Sequence, residues 1–137
     1  MKLVIQRVKK AKVDIAGGIG TGLFVLVGIK RGDTKEQARV LAEKLVKLRV
    51  MADAGGKMNL SAQDFLVVSQ FTLYANTAGG NRPSFMEAAL PVDAKEIYEH
   101  FVTKLRELGA KVATGSFGDY MKIDAVLDGP VTIVLES

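Results

Sequence analysis

The sequence predicts a mixed α/β fold, and three observations carry that expectation. Leu23 to Ile29 (LFVLVGI) and Phe65 to Val68 (FLVV) are continuous apolar runs, rich in β-branched and aromatic residues and too short for independent helices. Runs of that kind belong to strands buried on both faces. Ala38, Leu41, Leu45 and Leu48, and again Ile97, Phe101, Leu105 and Leu108, recur at helical spacing. Finally, Met121, Ile123 and Ala125 alternate with Tyr120, Lys122 and Asp124, the period-two pattern of a half-buried strand. At 137 residues the chain fits one domain, residues 1–137, able to bury roughly two thirds of its unfolded surface.

Composition narrows the function. An apolar content of 48% with 25% charged residues is that of a soluble globular protein, and no apolar run approaches the roughly 18 residues of a membrane span. MKLVIQRVKK has only a short apolar stretch flanked by charge, which is no signal-peptide core, so cytoplasmic residence is expected. The absence of cysteine excludes a disulfide framework, a thiolate nucleophile and a cysteine-rich zinc site. The net charge of +4 favours a phosphate-bearing partner without defining a nucleic-acid groove. His100, the only histidine, sits at the edge of the second helical stripe and reads as a surface residue, which disfavours a histidine triad. No carboxylate or histidine cluster has metal-ligand spacing, so neither a metal nor another cofactor is expected.

In chain order, residues 2 to 8 and 12 to 15 read as strands, and Leu23 to Ile29 as a central one. Gly17 to Gly22 is glycine-rich, but a strand follows it rather than a helix, so it reads as a turn and not a phosphate loop. Asp33 with Glu36 three residues on opens a helix over about 34 to 48. Residues 53 to 64 read as a loop that delivers the Phe65 strand. Along that strand, period-two alternation puts Gln70 and Thr72 on one face and Ser69 and Phe71 on the other, unless a bulge intervenes. Ser69 and Thr72 either hydrogen-bond the backbone at a strand end or face a ligand. A loop with Arg82 and Pro83 follows, then a helix from Pro91 ending at Gly109. Strands at about 111 to 117, 119 to 126 and 131 to 135 complete the chain, with a turn at Leu127–Pro130. X–Pro bonds are mostly trans, so the residues by themselves predict a trans Gly129–Pro130 bond.

MKLVIQRV, the KMNLS loop, LVVSQFTLYAN, NRPSF and the terminal DGPVTIVLES, in this order and spanning the chain, together resemble the D-aminoacyl-tRNA deacylase family. Its two diagnostic segments match as Ser69-Gln70-Phe71-Thr72 and Gly129-Pro130-Val131-Thr132. The resemblance implies curved, barrel-like β-sheets with two helices packed outside, in a homodimer with active sites at the interface. It also implies hydrolysis of the ester joining a D-amino acid, or glycine, to the 3′-terminal adenosine of tRNA, with L-aminoacyl-tRNA spared. Gly129–Pro130 would be cis and enter the partner subunit's pocket as a steric gate, with Arg7 bracing it through its guanidinium fork. Two departures stand out: Leu127 replaces the asparagine usual two residues before the glycine, and the segments Ile15–Gly22 and Ser61–Phe65 look several residues shorter than in typical members.

The residues suit that chemistry in one respect. The only charged side chain in Phe65–Asn76, or one residue either side, is Asp64, so neither Ser69 nor Thr72 has a local base to activate it. An aminoacyl ester is already activated and carries a vicinal 2′-hydroxyl. Ser69, Gln70, Phe71 and Thr72 are therefore expected to position substrate and supply backbone N–H groups to an oxyanion. A non-enzymatic RNA-binding module and a small-molecule esterase or amidase are the alternatives.

Overall fold

Strand β1 (Lys2–Val13) is the hub of the molecule, in a computed structural model that describes residues 1–137. It pairs antiparallel with β3 (Gly22–Gly28) along one edge and with β8 (Ile123–Glu136) along the other. The short β2 (Gly18–Ile19) extends the first pairing beside Ala11 and Lys12. From β3 the sheet continues in parallel through β6 (Asp64–Ser69) to β7 (Lys111–Thr114). The last strand curls back towards the first hairpin, where the Gly17 N–H donates to Thr114 O at 3.1 Å. A Cβ on Gly17 would stand 3.0 Å from Ala113 Cβ, so glycine lets the two backbones approach closely here. The result is a mixed, nearly closed, barrel-like sheet, as the resemblance implied.

Both faces of its centre are buried, which is why β3 and β6 read as continuous apolar runs. Leu23, Val25, Val27, Phe65 and Val67 face the helices and join a core with Leu3, Ile5, Leu41, Leu45 and Phe101. Phe24, Leu66 and Val68 pack on the opposite face with Val8, Ala11 and Val13. Helix α1 (Lys35–Val46) and helix α2 (Pro91–Glu107) lie on the first face and pack against each other.

Several boundaries differ from the sequence reading. The two expected opening strands are one, because β8 follows β1 across irregularities near Val8 and keeps the ladder going. Helix α1 is capped by Thr34 with Gln37, one residue later than expected: Thr34 accepts from the Glu36 N–H, and Gln37 Oε1 accepts from the Thr34 N–H at 2.7 Å. Asp33 is engaged elsewhere, 2.8 Å from the Met1 α-amino group and accepting from the Lys30 N–H at 2.7 Å. In α2, Tyr98 and Val102 widen the buried stripe, while Leu108 caps the helix and is exposed. Burial raises the Tyr98 hydroxyl to about 12, and the neutral hydroxyl donates to Val67 O at 2.8 Å. Within residues 53 to 64 the expected loop holds half a hairpin, β4 (Met51–Ala52) with β5 (Met58–Leu60).

Candidate active site

Two segments stand out, at opposite ends of the sheet. Strand β6 loses its partners at Ser69: its ladder with β3 ends at the pair Val27–Ser69, and the Gln70 N–H makes a last bond to Val27 O at 2.8 Å. The chain then enters a 3₁₀ turn over Phe71–Tyr74, so the period-two alternation expected for Ser69 to Thr72 does not continue. The first bond of this turn is donated by Leu73 to Gln70 O at 3.3 Å. The N–H groups of Phe71 and Thr72 precede it, the positions a helical turn leaves without internal acceptors. Phe71 and Thr72 are exposed, while Ser69 and Gln70 are half-buried. The strand-end alternative for the hydroxyls fails, since neither bonds the backbone: Thr72 Oγ1 accepts from the Gln70 side-chain amide, and Ser69 Oγ has no partner within the chain.

Residues far away in sequence hold this turn on the sheet. Gly28 lies beneath it, where a Cβ would meet Leu73 Cβ at 2.9 Å and the Tyr74 ring at 3.2 Å. Lys2, paired with Gly28 in the ladder, donates to Leu73 O at 3.3 Å, sits 5.1 Å from the Tyr74 ring centre and pairs with Glu136 at 3.1 Å. The sequence reading passed over Lys2, Gly28 and Tyr74; the glycine inside an apolar run was the one signal that a backbone approaches closely there. Burial, with Asp33, Glu136 and Glu87 nearby, holds the Tyr74 hydroxyl neutral and well above its ordinary range, so it is no base at neutral pH. Asp64 starts the same strand and pairs in register with Lys111, about 16 Å from Ser69 at 3.3 Å per residue. Gly28→Ala should lift the turn and lower unfolding free energy by about 1–3 kcal/mol in a urea titration. A midpoint equal to that of the unaltered protein would show that the turn is not seated through Gly28.

The second segment is a bulge in β8. Gln6 pairs with Thr132 and Val8 with Leu127, so Arg7 alone opposes Asp128, Gly129, Pro130 and Val131. The expected turn between two strands is thus a bulge within one, because β1 pairs with β8 on both sides of it. The Gly129–Pro130 bond is cis, which corrects the trans expectation and agrees with the resemblance. The local preference for trans is only about 0.5–1 kcal/mol, small enough for tertiary contacts to override. Arg7 stands opposite the bulge: Nε donates to Asp128 O at 3.1 Å and lies 3.5 Å from its carboxylate, and Nη1 donates to Val50 O at 2.9 Å. Leu127, where relatives usually have asparagine, flanks the bulge as the ladder partner of Val8. Gly129 and Pro130 are exposed.

One chain does not bring the two segments together. The Ser69 row of the sheet runs through Val27, Leu3 and Leu135, whereas the bulge shares a row with Arg7, Leu23 and Phe65. Four residues along the strands and three strand spacings across separate them, on the order of 15–20 Å. Nearer the turn, Phe71 stacks edge-on against Phe85, centroids 5.1 Å apart. Arg82 is exposed in the loop closed by the Asn76–Ser84 bridge.

Known proteins share this fold. A structure described as "c-Myc DNA Unwinding Element Binding Protein" superimposes with a TM-score of 0.91 and 38% identity, over 100% of this chain and 99% of that one. One described as "a probable eukaryotic D-amino acid tRNA deacylase" has the same fold, with a TM-score of 0.81, at 16% identity over 98% and 97% of the chains. The D-aminoacyl-tRNA deacylase of Dehalococcoides mccartyi is 51% identical over 145 positions, covering 100% of this chain and 95% of its own. That of Thermosipho africanus is 48% identical, covering 100% and 97%. Both alignments run over 145 positions for 137 residues, so these relatives carry residues that this chain lacks, in keeping with its shorter segments. The class is thereby defined: this protein is a hydrolase acting on ester bonds. The family model for D-Tyr-tRNA(Tyr) deacylase matches residues 4–136, and the chain belongs to that family.

Proposed function

We propose that the protein, acting as a single domain and as a homodimer, hydrolyses D-aminoacyl-tRNA to free D-amino acid and tRNA, as chiral proofreading. Glycyl-tRNA mischarged on tRNA-Ala is a further substrate in this reading. Its relatives' names supply the substrate class. The observation that carries the mechanism is the separation of the two segments within one chain. A tip that is rigidly braced, exposed and remote from the Ser69–Thr72 turn of its own chain fits a pocket completed by a second copy. In that pocket Ser69, Gln70, Phe71 and Thr72 form one wall, and Gly129 and Pro130 of the other copy form the gate. A substrate whose amino group meets the tip leaves no room for an L side chain.

The turn offers no activated nucleophile. Gln70 donates to the Thr72 hydroxyl, Tyr74 stays neutral and Asp64 lies at the far end of the strand. Water is therefore the nucleophile: its oxygen bonds to the ester carbon, the bond to the 3′-oxygen breaks, and that oxygen leaves protonated. The vicinal 2′-hydroxyl of the ribose positions or activates the water. The Phe71 and Thr72 N–H groups take the charge that develops on the carbonyl oxygen. No metal or cofactor enters this scheme. No helix is long and apolar enough to cross a membrane, and a protein working on charged tRNA belongs in the cytoplasm.

The test incubates the protein with D-tyrosyl-tRNA, L-tyrosyl-tRNA and a simple D-amino-acid ester and follows amino-acid release. Cleavage of the first alone is expected. Binding without release would make the protein an RNA-binding module, and cleavage of the simple ester alone would make it a small-molecule esterase. Thr72→Ala should retain substantial activity, within about tenfold of the original kcat, because only a hydroxyl outside the bond-making steps is removed. Complete loss with normal tRNA binding would establish a side-chain nucleophile instead.

A further inference from the structure

Five exposed cations lie along the segments that flank the Gly129–Pro130 tip. Lys9 and Lys10 lie two and three residues along β1 from Arg7, about 7–10 Å away, and both are exposed. From the other side, Arg7 holds Val50 O at 2.9 Å, which places the segment from the end of α1 through the β4–β5 hairpin against the bulge. That segment carries Lys47, Arg49 and Lys57, again all exposed. None of these five cations makes an ion pair. Arg49 is held in place by donating to Asn59 O at 2.8 Å and to the Asn59 side chain.

Two of the carboxylates nearby are committed. Asp128 pairs with Arg7, and Asp53 caps its own turn, accepting from the Gly55 and Lys57 N–H groups at 2.9 and 3.0 Å. At the opposite end, beside the catalytic turn, Asp33 and Glu136 already pair with the Met1 amino group and Lys2, which leaves Glu87 as the carboxylate near Tyr74 without an ion pair. A second copy docking its turn against the tip therefore brings one unpaired carboxylate to match the five cations. An RNA backbone brings one charge per nucleotide.

We propose that Lys9, Lys10, Lys47, Arg49 and Lys57 form a cationic collar that grips phosphates near the acceptor end of the tRNA whose ester occupies the pocket this tip completes. The inference rests on the function proposed above and adds where the nucleic acid is held. The collar supplies affinity and orientation through the phosphates, and the pocket supplies the chemistry and the chirality. A modest net charge of +4 can serve a polyanionic substrate in this way, because five cations without ion pairs stand where the substrate enters.

The test compares the unaltered protein with the triple variant Lys9→Gln, Lys10→Gln, Lys57→Gln on two substrates: D-tyrosyl-tRNA and D-tyrosyl-adenosine, which has the same ester and no phosphate. For the tRNA, KM should rise at least tenfold. The slope of log affinity against log salt should become shallower by about 2–3, since each phosphate that is no longer neutralised removes roughly 0.7–0.9 from it. Cleavage of D-tyrosyl-adenosine should be unchanged. An unchanged tRNA KM and salt slope would overturn the collar, as would an equal fall in activity on both substrates. A variant that elutes as a monomer where the original is a dimer would give these cations to the subunit contact and overturn the proposal as well. Failure of the unaltered protein to cleave D-tyrosyl-tRNA at all would instead refute the proposed function.

Discussion

Gly129→Ala is expected to lower kcat/KM for D-aminoacyl-tRNA by about a hundredfold and to narrow the preference for D over L substrates, in a dimer that still folds. The φ of Gly129 is +127°, a backbone conformation that costs a residue with a side chain on the order of 1–3 kcal/mol. The added Cβ would stand 3.0 Å from both Val131 Cγ2 and Val131 N, and 3.3 Å from Arg7 Nη2. These atoms have little room to move, since Val131 leads directly into Thr132, where the ladder with Gln6 resumes, and Arg7 is held through Nε and Nη1. The relief open to the chain is to shift the tip. A displacement near 1 Å in a positioning element is enough for a loss of about a hundredfold. Circular dichroism and a dimer elution volume establish that the variant is folded, and deacylation of D- and L-tyrosyl-tRNA then gives the result. A folded dimer in which both rates are unchanged would remove Gly129–Pro130 from the pocket.

Arg7→Ala should cost about 2–4 kcal/mol of stability and most of the activity. The Arg7 side chain is only 14% exposed, and it supplies hydrogen bonds to Asp128 O and Val50 O and an ion pair to the Asp128 carboxylate. Truncation leaves two carbonyls without their donors, each costing about 1–3 kcal/mol where water cannot replace the bond. It also frees the bulge from the Val50 segment, so activity should fall much further than in Thr72→Ala. Arg7→Lys should recover only part of either loss, because one ammonium cannot present two diverging N–H groups to two carbonyls on separate segments. Urea unfolding is the measurement, with deacylation assayed on the same samples. A stability change within about 0.5 kcal/mol would show that the bulge holds its shape without Arg7.

Much of this molecule was legible residue by residue. The unbroken apolar runs at Leu23–Ile29 and Phe65–Val68 marked strands covered on both faces, and the helices on one side with Val8, Ala11 and Val13 on the other are what covers them. The spacing of Ile97, Phe101 and Leu105 marked α2 because burying one stripe requires it. Arg7 was expected to brace the Gly-Pro segment, and its guanidinium bonds Asp128, the residue before it, and Val50. The β4–β5 hairpin escaped notice because its strands are too short to show a period, and its glycine-rich connection reads as loop.

The site itself divides the same way. By itself the sequence determined which side chains are available: a Ser-Gln-Phe-Thr segment without a base, a Gly-Pro pair, one histidine on a helix and no cysteine. Those inventories exclude whole mechanisms, since chemistry cannot use groups a chain does not have. Tertiary structure alone decided that β6 stops at Ser69 and coils, because the space over Gly28 and the reach of Lys2 come from segments more than forty residues earlier in the chain. It likewise decided that Gly129–Pro130 is a cis bulge within one strand rather than a trans turn between two, because β1, far away in sequence, pairs with β8 on both sides of it. Local preferences are written in neighbouring residues; the contacts that outweigh them exist only once distant strands have met.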